Sequence, residues 1–511
     1  MSLLGLPPEI VDELLNLSLP HSIQHFSMSC KAVYARAAPQ LRRHKALGQK
    51  WKRALLLASD HGNPLRMLYE ISQDPLVPQY IEALDLREWP STAARAMPAE
   101  MDSNTFRTDA KAMDAIKDLV TDSIVLQNAG LDPDEWWEMM MNEDVVDEMA
   151  VQSEEVYTPY TIVMLLTQLP NLKSLQLPPG WAGFRPFDDA AMRSGEDDKR
   201  IMTLLDALVA QSYRTGAPLG QLKSVLPFMS EGYEERAGLQ AIQAFLPLKS
   251  MRSLFLVSCL AVDDNYTGIP FEWRYPTMTT SLRRVELAFC CMDADGISVL
   301  LARTPLLQVF KYSHQTKWHG CEHDWNPGAF TEAVARHVGP SLTDFALTID
   351  DLYGDVINGA SSVLSFSNLK RLEVDVRVFC GPPIESGQKR GMNAFVPQGD
   401  RAWTVEDIPC IGSMLPPSIV AVEINTDFPN PDHVALEALL KNVKEQRAER
   451  LKSLETVVIR QYDAESARDM VERAGITLAI YDELGEDRPR SMMPSWKREF
   501  ARRVGGIRWG L

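Results

Sequence analysis

Four stretches decide the fold of this chain: Leu282-Arg283-Arg284-Val285-Glu286-Leu287, Leu307-Gln308-Val309-Phe310-Lys311-Tyr312, Leu342-Thr343-Asp344-Phe345-Ala346-Leu347 and Leu369-Lys370-Arg371-Leu372-Glu373-Val374. Each is apolar at its first, fourth and sixth positions. Alternation over a few residues predicts a strand. The apolar positions are expected to face an interior between strand and helix, and the intervening ones a concave side. Further copies are Ile81-x-x-Leu84-x-Leu86, Leu172-x-x-Leu175-x-Leu177, Met251-x-x-Leu254-x-Leu256, Ile419-x-x-Val422-x-Ile424 and Leu454-x-x-Val457-x-Ile459. Leu222-x-x-Val225 is a weaker copy, and Ile476 to Ile480 reads as a last strand.

Helical periodicity precedes many of these copies, at 162–168, 201–212, 293–303, 329–338 and 433–450. Strand and helix at a recurring interval predict an α/β solenoid, in which each unit buries its apolar face against its neighbours. The fourth positions 254, 285, 310, 345 and 372 step by 31, 25, 35 and 27 residues. Those steps are long and uneven beside the usual leucine-rich repeat of about 20–29 residues. The expected fold class is therefore α/β: a short three-helix head, then an irregular leucine-rich-repeat solenoid of parallel strands alternating with helices.

The head is read from residues 6 to 39. Leu6-Pro7-Pro8-Glu9-Ile10 opens a helix, since a first-turn proline loses no needed hydrogen bond. Ile10, Leu14 and Leu17 share one face, broadened by Val11 and Leu15, and Pro20 stops the helix. Ser22 is placed to cap a second helix with Ile23 and Phe26, and Ser29 a third running through Val33 and Tyr34 to Pro39. So few residues make a small core, which another protein or the next segment must complete. A linking helix with Trp51, Leu55 and Leu56 as anchors is expected next. The domain reading is 1–48 head, 49–79 linking helices, 80–484 solenoid with an acidic insertion at about 90–155, and 485–511 basic tail.

Composition bounds the function. The 511 residues carry a formal net charge of −17, so a general affinity for nucleic acid is not expected. Between Lys117 and Lys173 there is no Lys or Arg, and the stretch holds twelve Asp and Glu. Within it, Asp132 to Met141 mixes acids with Trp136, Trp137 and methionines. It reads as a solvated helix with an apolar underside, or as a segment that captures a basic partner. The tail carries Arg488, Arg490, Lys497, Arg498, Arg502, Arg503 and Arg508; with Trp496 and Trp509 it could bind acidic surfaces or fold back on the acidic insertion, and the preferred reading is a solvated tail. Residues 180–200 and 381–407 read as polar, mobile loops.

The seven cysteines are odd in number and form no Cys-x-x-Cys, which fits reduced thiols in a reducing compartment. Met1 to Leu19 lacks a basic stretch and carries Glu9, Asp12 and Glu13, unlike a secretory leader. No apolar run approaches the roughly 18 residues a membrane span needs. The expected location is cytoplasmic or nuclear, with no membrane partner. His314, His319, Cys321 and His323, with Asp324 beside them, could ligate zinc. Their spacing matches no common zinc module, so a loop after a strand is the preferred reading and no metal or cofactor is expected. No phosphate-binding loop and no Gly-x-Ser-x-Gly elbow occurs, and an enzyme is not expected.

Through these residues the chain resembles a fungal-type F-box protein with degenerate leucine-rich repeats. The resemblance rests on Leu6-Pro7-Pro8-Glu9-Ile10, Leu14-Leu15, Leu19-Pro20 and Cys30-Lys31-Ala32-Val33-Tyr34. His21-Ser22-Ile23-Gln24-His25 departs from the leucine-rich helix usual there. The resemblance implies a non-catalytic substrate receptor of a cullin–RING ubiquitin ligase of the SCF type. Its head would hold a Skp-type adaptor, and through it a cullin scaffold. The adaptor-binding residues it implies are Leu6, Pro7, Pro8, Ile10, Leu14, Leu15, Leu19, Ile23, Cys30, Val33 and Tyr34. The repeats would hold an unknown protein target, with the chain monomeric inside the hetero-complex. The alternative is a non-ligase interaction scaffold whose F-box-like head caps the solenoid.

Overall fold

Every Leu-x-x-Leu-x-Leu stretch quoted above forms a strand in the computed structural model, which describes residues 5–55, 63–86, 109–142, 159–183, 195–263, 268–317, 324–426, 433–460, 468–469, 472, 478–480 and 494–505. The protein is α/β, and the main-ladder pairings below are parallel. It divides into two compact units, Met1–Ser224 with Leu248–Ser250, and Val225–Pro247 with Met251–Leu511, so the division falls inside the span 80–484.

The first unit begins with helices α1 (Pro8–Leu17), α2 (Ile23–Ser27), α3 (Lys31–Arg36) and α4 (Ala38–Trp51). Pro8 sits in the first turn of α1, where its missing N–H costs nothing. Val11, Leu15, Leu19, Ile23, Val33 and Ala37 turn inward to one core. Leu41 on α4 and Leu76 further on pack against that core, so the next segment supplies the completion that three short helices lack. Arg36 and Asp12 pair bidentately on the outside at 2.6 Å.

After Trp51, β1 (Arg53–Leu55) follows where a continuous linking helix was expected. It pairs in parallel with β2 (Ala83–Asp85), which raises the strand order one step above the sequence reading. Helices α5 (Pro64–Gln73) and α6 (Val77–Tyr80) lie between them in the chain. Asn63 caps α5 by accepting the Arg66 amide at 2.9 Å.

Within the acidic insertion, residues 109–142 fold as α7 (Ala110–Thr121), α8 (Ile124–Asn128) and α9 (Pro133–Asn142). Their undersides bury Ala112, Ile116, Val120, Leu126, Trp136 and Met140. Trp136 meets Tyr160 edge-on at 4.7 Å, at the start of α10 (Tyr160–Leu166). The amphipathic reading of Asp132 to Met141 thus describes α9. Next come β3 (Ser174–Gln176), parallel to β2, and α11 (Gly195–Gln211), whose first turns occupy part of the expected 180–200 loop.

The boundary strand β4 (Ser224–Leu226) precedes the second unit's β5 (Ala237–Gly238), β6 (Ser253–Val257), β7 (Cys259–Ala261) and β8 (Arg284–Met292). Then follow α12 (Ala294–Leu301), β9 (Val309–Gln315), α13 (Pro327–Val338), β10 (Asp344–Asp351) and β11 (Arg371–Asp375). The order closes with α14 (Ile411–Met414), β12 (Ala421–Asn425), α15 (His433–Leu440), α16 (Val443–Glu449), β13 (Thr456–Arg460), β14 (Leu478–Ile480) and α17 (Ser495–Val504). Register puts the fourth positions in one line: Leu254, Val285, Phe310, Phe345, Leu372, Val422 and Val457, then Leu478 of β14. The uneven 25- to 35-residue steps are therefore taken up by the connections, and the ladder is unaffected.

On the helix side of this ladder, Phe310 stacks between Phe330 (6.3 Å) and Phe345 (6.1 Å), and Phe345 on Phe366 (5.3 Å). Asp293 and Asn326 cap α12 and α13 through the amides of Gly296 (2.6 Å) and Ala329 (2.9 Å). A Cβ at Gly296 would lie 2.0 Å from the Ala261 carbonyl oxygen, so only glycine lets the first turn of α12 approach β7 this closely. Ser258 and Phe289 take left-handed backbone angles, φ +53° and +55°. The register slips between Leu287 and Cys290, and the ends of β7 and β8 pair separately.

The segment 381–407 is no loose loop. It makes three single turns, Ile384–Ser386, Gly391–Asn393 and Val405–Asp407. Buried Asn358 donates to the carbonyls of Pro382 (3.1 Å) and Gln388 (2.7 Å), and Asp324 accepts the Met392 amide. Local side-chain bonds do here what a ladder does elsewhere.

The basic tail is the main correction. Residues 494–505 are not solvated: α17 buries Trp496, Lys497, Phe500, Ala501 and Val504. Positions 496, 500 and 504 repeat every four residues and so form one helix face. Interleaved arginines obscure that stripe in a composition reading.

Candidate binding face

Strand residues alternate between two faces. Opposite the helix side lies a row in register: Phe255, Glu286, Lys311, Ala346, Glu373, Glu423 and Val458. A parallel row two residues on holds Val257, Ala288, Thr348, Asp375 and Asn425. The face is apolar at the β6 end and acidic across β11 and β12.

Helix α17 lies on this face. Its apolar stripe joins Phe255, Val257, Ala288 and Ala346 in one cluster, with Leu226 and Phe289 at the edge. Phe500 meets Phe255 edge-on at 6.1 Å. Burying each such side chain contributes roughly 1.5–3 kcal/mol.

Carboxylates organise both ends of the helix. Glu373 accepts the backbone amides of Ser495 (2.7 Å) and Trp496 (3.0 Å), and the Ser495 hydroxyl bonds Glu373 (2.8 Å) and Glu423 (2.6 Å). An anion at free helical N–H groups also meets the positive end of the helix dipole. Further along, Arg503 reaches Glu286 at 2.8 Å, and Glu499 lies 3.5 Å from Lys311. Trp496 Nε1 donates to Thr348 at 3.2 Å. Lys497 pairs with Asp350 and rests 3.4 Å from the centre of the Phe289 ring. Burial pushes the Lys497 ammonium below the usual lysine range, and Asp350 pulls it back.

Deeper in the same unit, Lys317 is fully buried. Its ammonium donates to Gly232 O (2.7 Å), Ser258 Oγ (2.9 Å) and Gln315 Oε1 (2.7 Å). Burial lowers its pKa to about 8. It holds the 228–236 segment to the strand ends. Burial raises the Cys290 thiol to about 12 and also pushes the Cys259 thiol well above its usual range, so neither is a ready nucleophile.

Of the zinc candidates, His319, Cys321 and His323 lie outside the described residues. His314 is buried on β9, stacked on Trp325 at 4.3 Å, with Nδ1 3.0 Å from the Tyr312 hydroxyl. Asp324 is turned to the 391–392 turn. Among the described residues no His, Cys, Asp and Glu group is arranged to hold a metal ion.

The residues implied as adaptor-binding divide by burial. Leu15, Leu19, Ile23 and Val33 lie in the head's own core, and Leu6, Leu14 and Cys30 are half-buried. Pro7, Pro8, Ile10 and Tyr34 are exposed. Two exposed apolar residues, Leu17 and Met28, join them at 73% and 67% exposure. Ile10, Leu14 and Leu17 run along one side of α1. His21, in the stretch that departs from the resemblance, accepts from Asn171 at 3.3 Å, and Asn171 also bonds the Gln79 carbonyl (2.7 Å) and Gln221 (2.9 Å).

Among the described residues no helix is long and apolar enough to cross a membrane. No protein-family model matches the chain, and no curated protein matches it.

Proposed function

We propose that this chain is the substrate receptor of a cullin–RING ubiquitin ligase of the SCF type. In this reading an F-box-like head docks a Skp-type adaptor and the leucine-rich-repeat-like strands hold a target protein. One observation carries it. The head already has a core of its own from Val11, Leu15, Leu19, Ile23 and Val33, yet it keeps Ile10, Leu17, Met28 and Tyr34 exposed. Large apolar groups concentrated in so short a segment favour a protein-facing surface. The chain performs no chemistry in this reading. It holds a target lysine near a charged carrier enzyme, where proximity supplies the rate.

A second reading is favoured by Asn171, which ties His21 of the head to Gln79 and Gln221. Such ties suit a head that caps a repeat stack, since solenoids need polar ends. Co-purification separates the two. Ile10→Asp with Leu17→Asp should abolish capture of adaptor and cullin while circular dichroism stays unchanged. Full retention of the adaptor would reject the receptor reading and leave the cap.

A further inference from the structure

Helix α17 makes contacts suited to a ligand on the strand face of the second unit that it covers. Its apolar stripe fills one end of the face, its N–H groups meet Glu373, and its cations meet Asp350 and Glu286. The match is incomplete in one respect. Glu286 Oε2, Asp350 Oδ2 and Asn425 Oδ1 are buried on this face with no hydrogen-bond donor among the described residues. All three are acceptors and all belong to residues that touch α17 or its capping Glu373. A buried acceptor left unpaired costs free energy that a cationic donor would recover. The face therefore holds more acceptors than α17 supplies donors.

A ten-residue helix is marginal by itself in water, and removing charges from water offsets much of what the buried ion pairs contribute. A helix held this way is suited to exchange. We propose that this face is a receptor for a basic amphipathic helix of a partner protein, and that α17 is a tethered stand-in which the partner displaces. The partner helix would begin at a small hydroxyl residue over Glu373 and Glu423, carry an aromatic residue next and another four positions on, and bring Lys or Arg to Asp350, Asn425 and Glu286. The inference rests on the reading that the repeats hold a target, and it is independent of what the head docks.

The test uses the full chain and a fluorescent peptide with the sequence of residues 494–505. Trp496→Ala with Phe500→Ala in the full chain weakens the internal competitor, so the peptide should bind this variant at least about tenfold more tightly than the wild type. Binding should fall when Glu373→Gln and Glu423→Gln are added, and should vanish for a peptide carrying alanine at both aromatic positions. Equal binding to wild type and to the folded variant would overturn the proposal. So would loss of the second unit's cooperative melt in the variant, which would make α17 an obligatory part of the core. A scrambled peptide of the same charge binding equally well would overturn it too, by showing charge attraction alone. Ile10→Asp with Leu17→Asp should leave peptide binding unchanged, which keeps failure of adaptor docking distinct from failure of this inference.

Discussion

The Glu373 carboxylate accepts the backbone amide of Ser495 at 2.7 Å, across 122 residues of sequence. Glu373 is a residue of strand β11, and Ser495 is the first residue of the tail helix. The pair anchors a helix to a strand face whose own residues are charged.

Glu373→Gln keeps the side chain's size and removes its charge. It should loosen α17 by about 1–2 kcal/mol, the scale of a charge at a partly buried helix terminus. Hydrogen exchange of the 496–504 amides should accelerate, while the β8 to β10 amides stay protected.

Core and surface of the head should separate by truncation. Leu15→Ala and Ile23→Ala each leave a cavity in the head's core and should cost about 2–5 kcal/mol. Ile10→Ala and Leu17→Ala, at exposed positions, should stay within about 0.5 kcal/mol in the isolated chain. Denaturant unfolding followed by circular dichroism measures both, and equal costs would contradict the division.

Lys317 should give a pH signature. Its folded pKa of about 8 lies below the ordinary 10.5. Below pH 8 both folded and unfolded forms carry the proton and the burial penalty is present in full. Between about 8 and 10.5 the folded form releases its proton first. Stability contributed at this site therefore rises with pH through that window, by at most about 1.4 kcal/mol per pH unit. The difference in unfolding free energy between wild type and Lys317→Met isolates the effect, and it should be flat from pH 6 to 7.

Gly296→Ala should destabilise the second unit by about 1–3 kcal/mol, because a methyl group would strike the Ala261 carbonyl and force the first turn of α12 from β7. A thermal melt at unchanged pH checks it; an unchanged midpoint would show that the turn can move.

Much of the ladder was legible from local pattern. Leu282, Val285 and Leu287 recur as a spacing, and each is fully buried where the spacing puts it. Period-two alternation fixes which side of a strand faces inward, whatever the length of the connections. The head's helices were legible for the same reason, through Pro8 at the start of α1 and the apolar spacing of Val11 and Leu15. The strand 53–55 was not, because three residues carry too short a pattern to outweigh the helix before them.

The candidate face was half legible. That residues such as Glu286, Glu373 and Glu423 face away from the core follows from alternation along their own strands. That Glu373 would cap a helix at 495, or that Lys497 would be buried beside Asp350, does not. The tail's arginines read as solvated charge, and only the folded chain brings an acidic face opposite them. Local sequence determines period and strand, but not every cap: Ser22 makes no side-chain cap bond, and Cys30 rather than Ser29 stands at the start of α3. Which distant charge neutralises which is decided by tertiary structure, since Coulomb energy depends on separation and burial, and neither is a property of sequence distance.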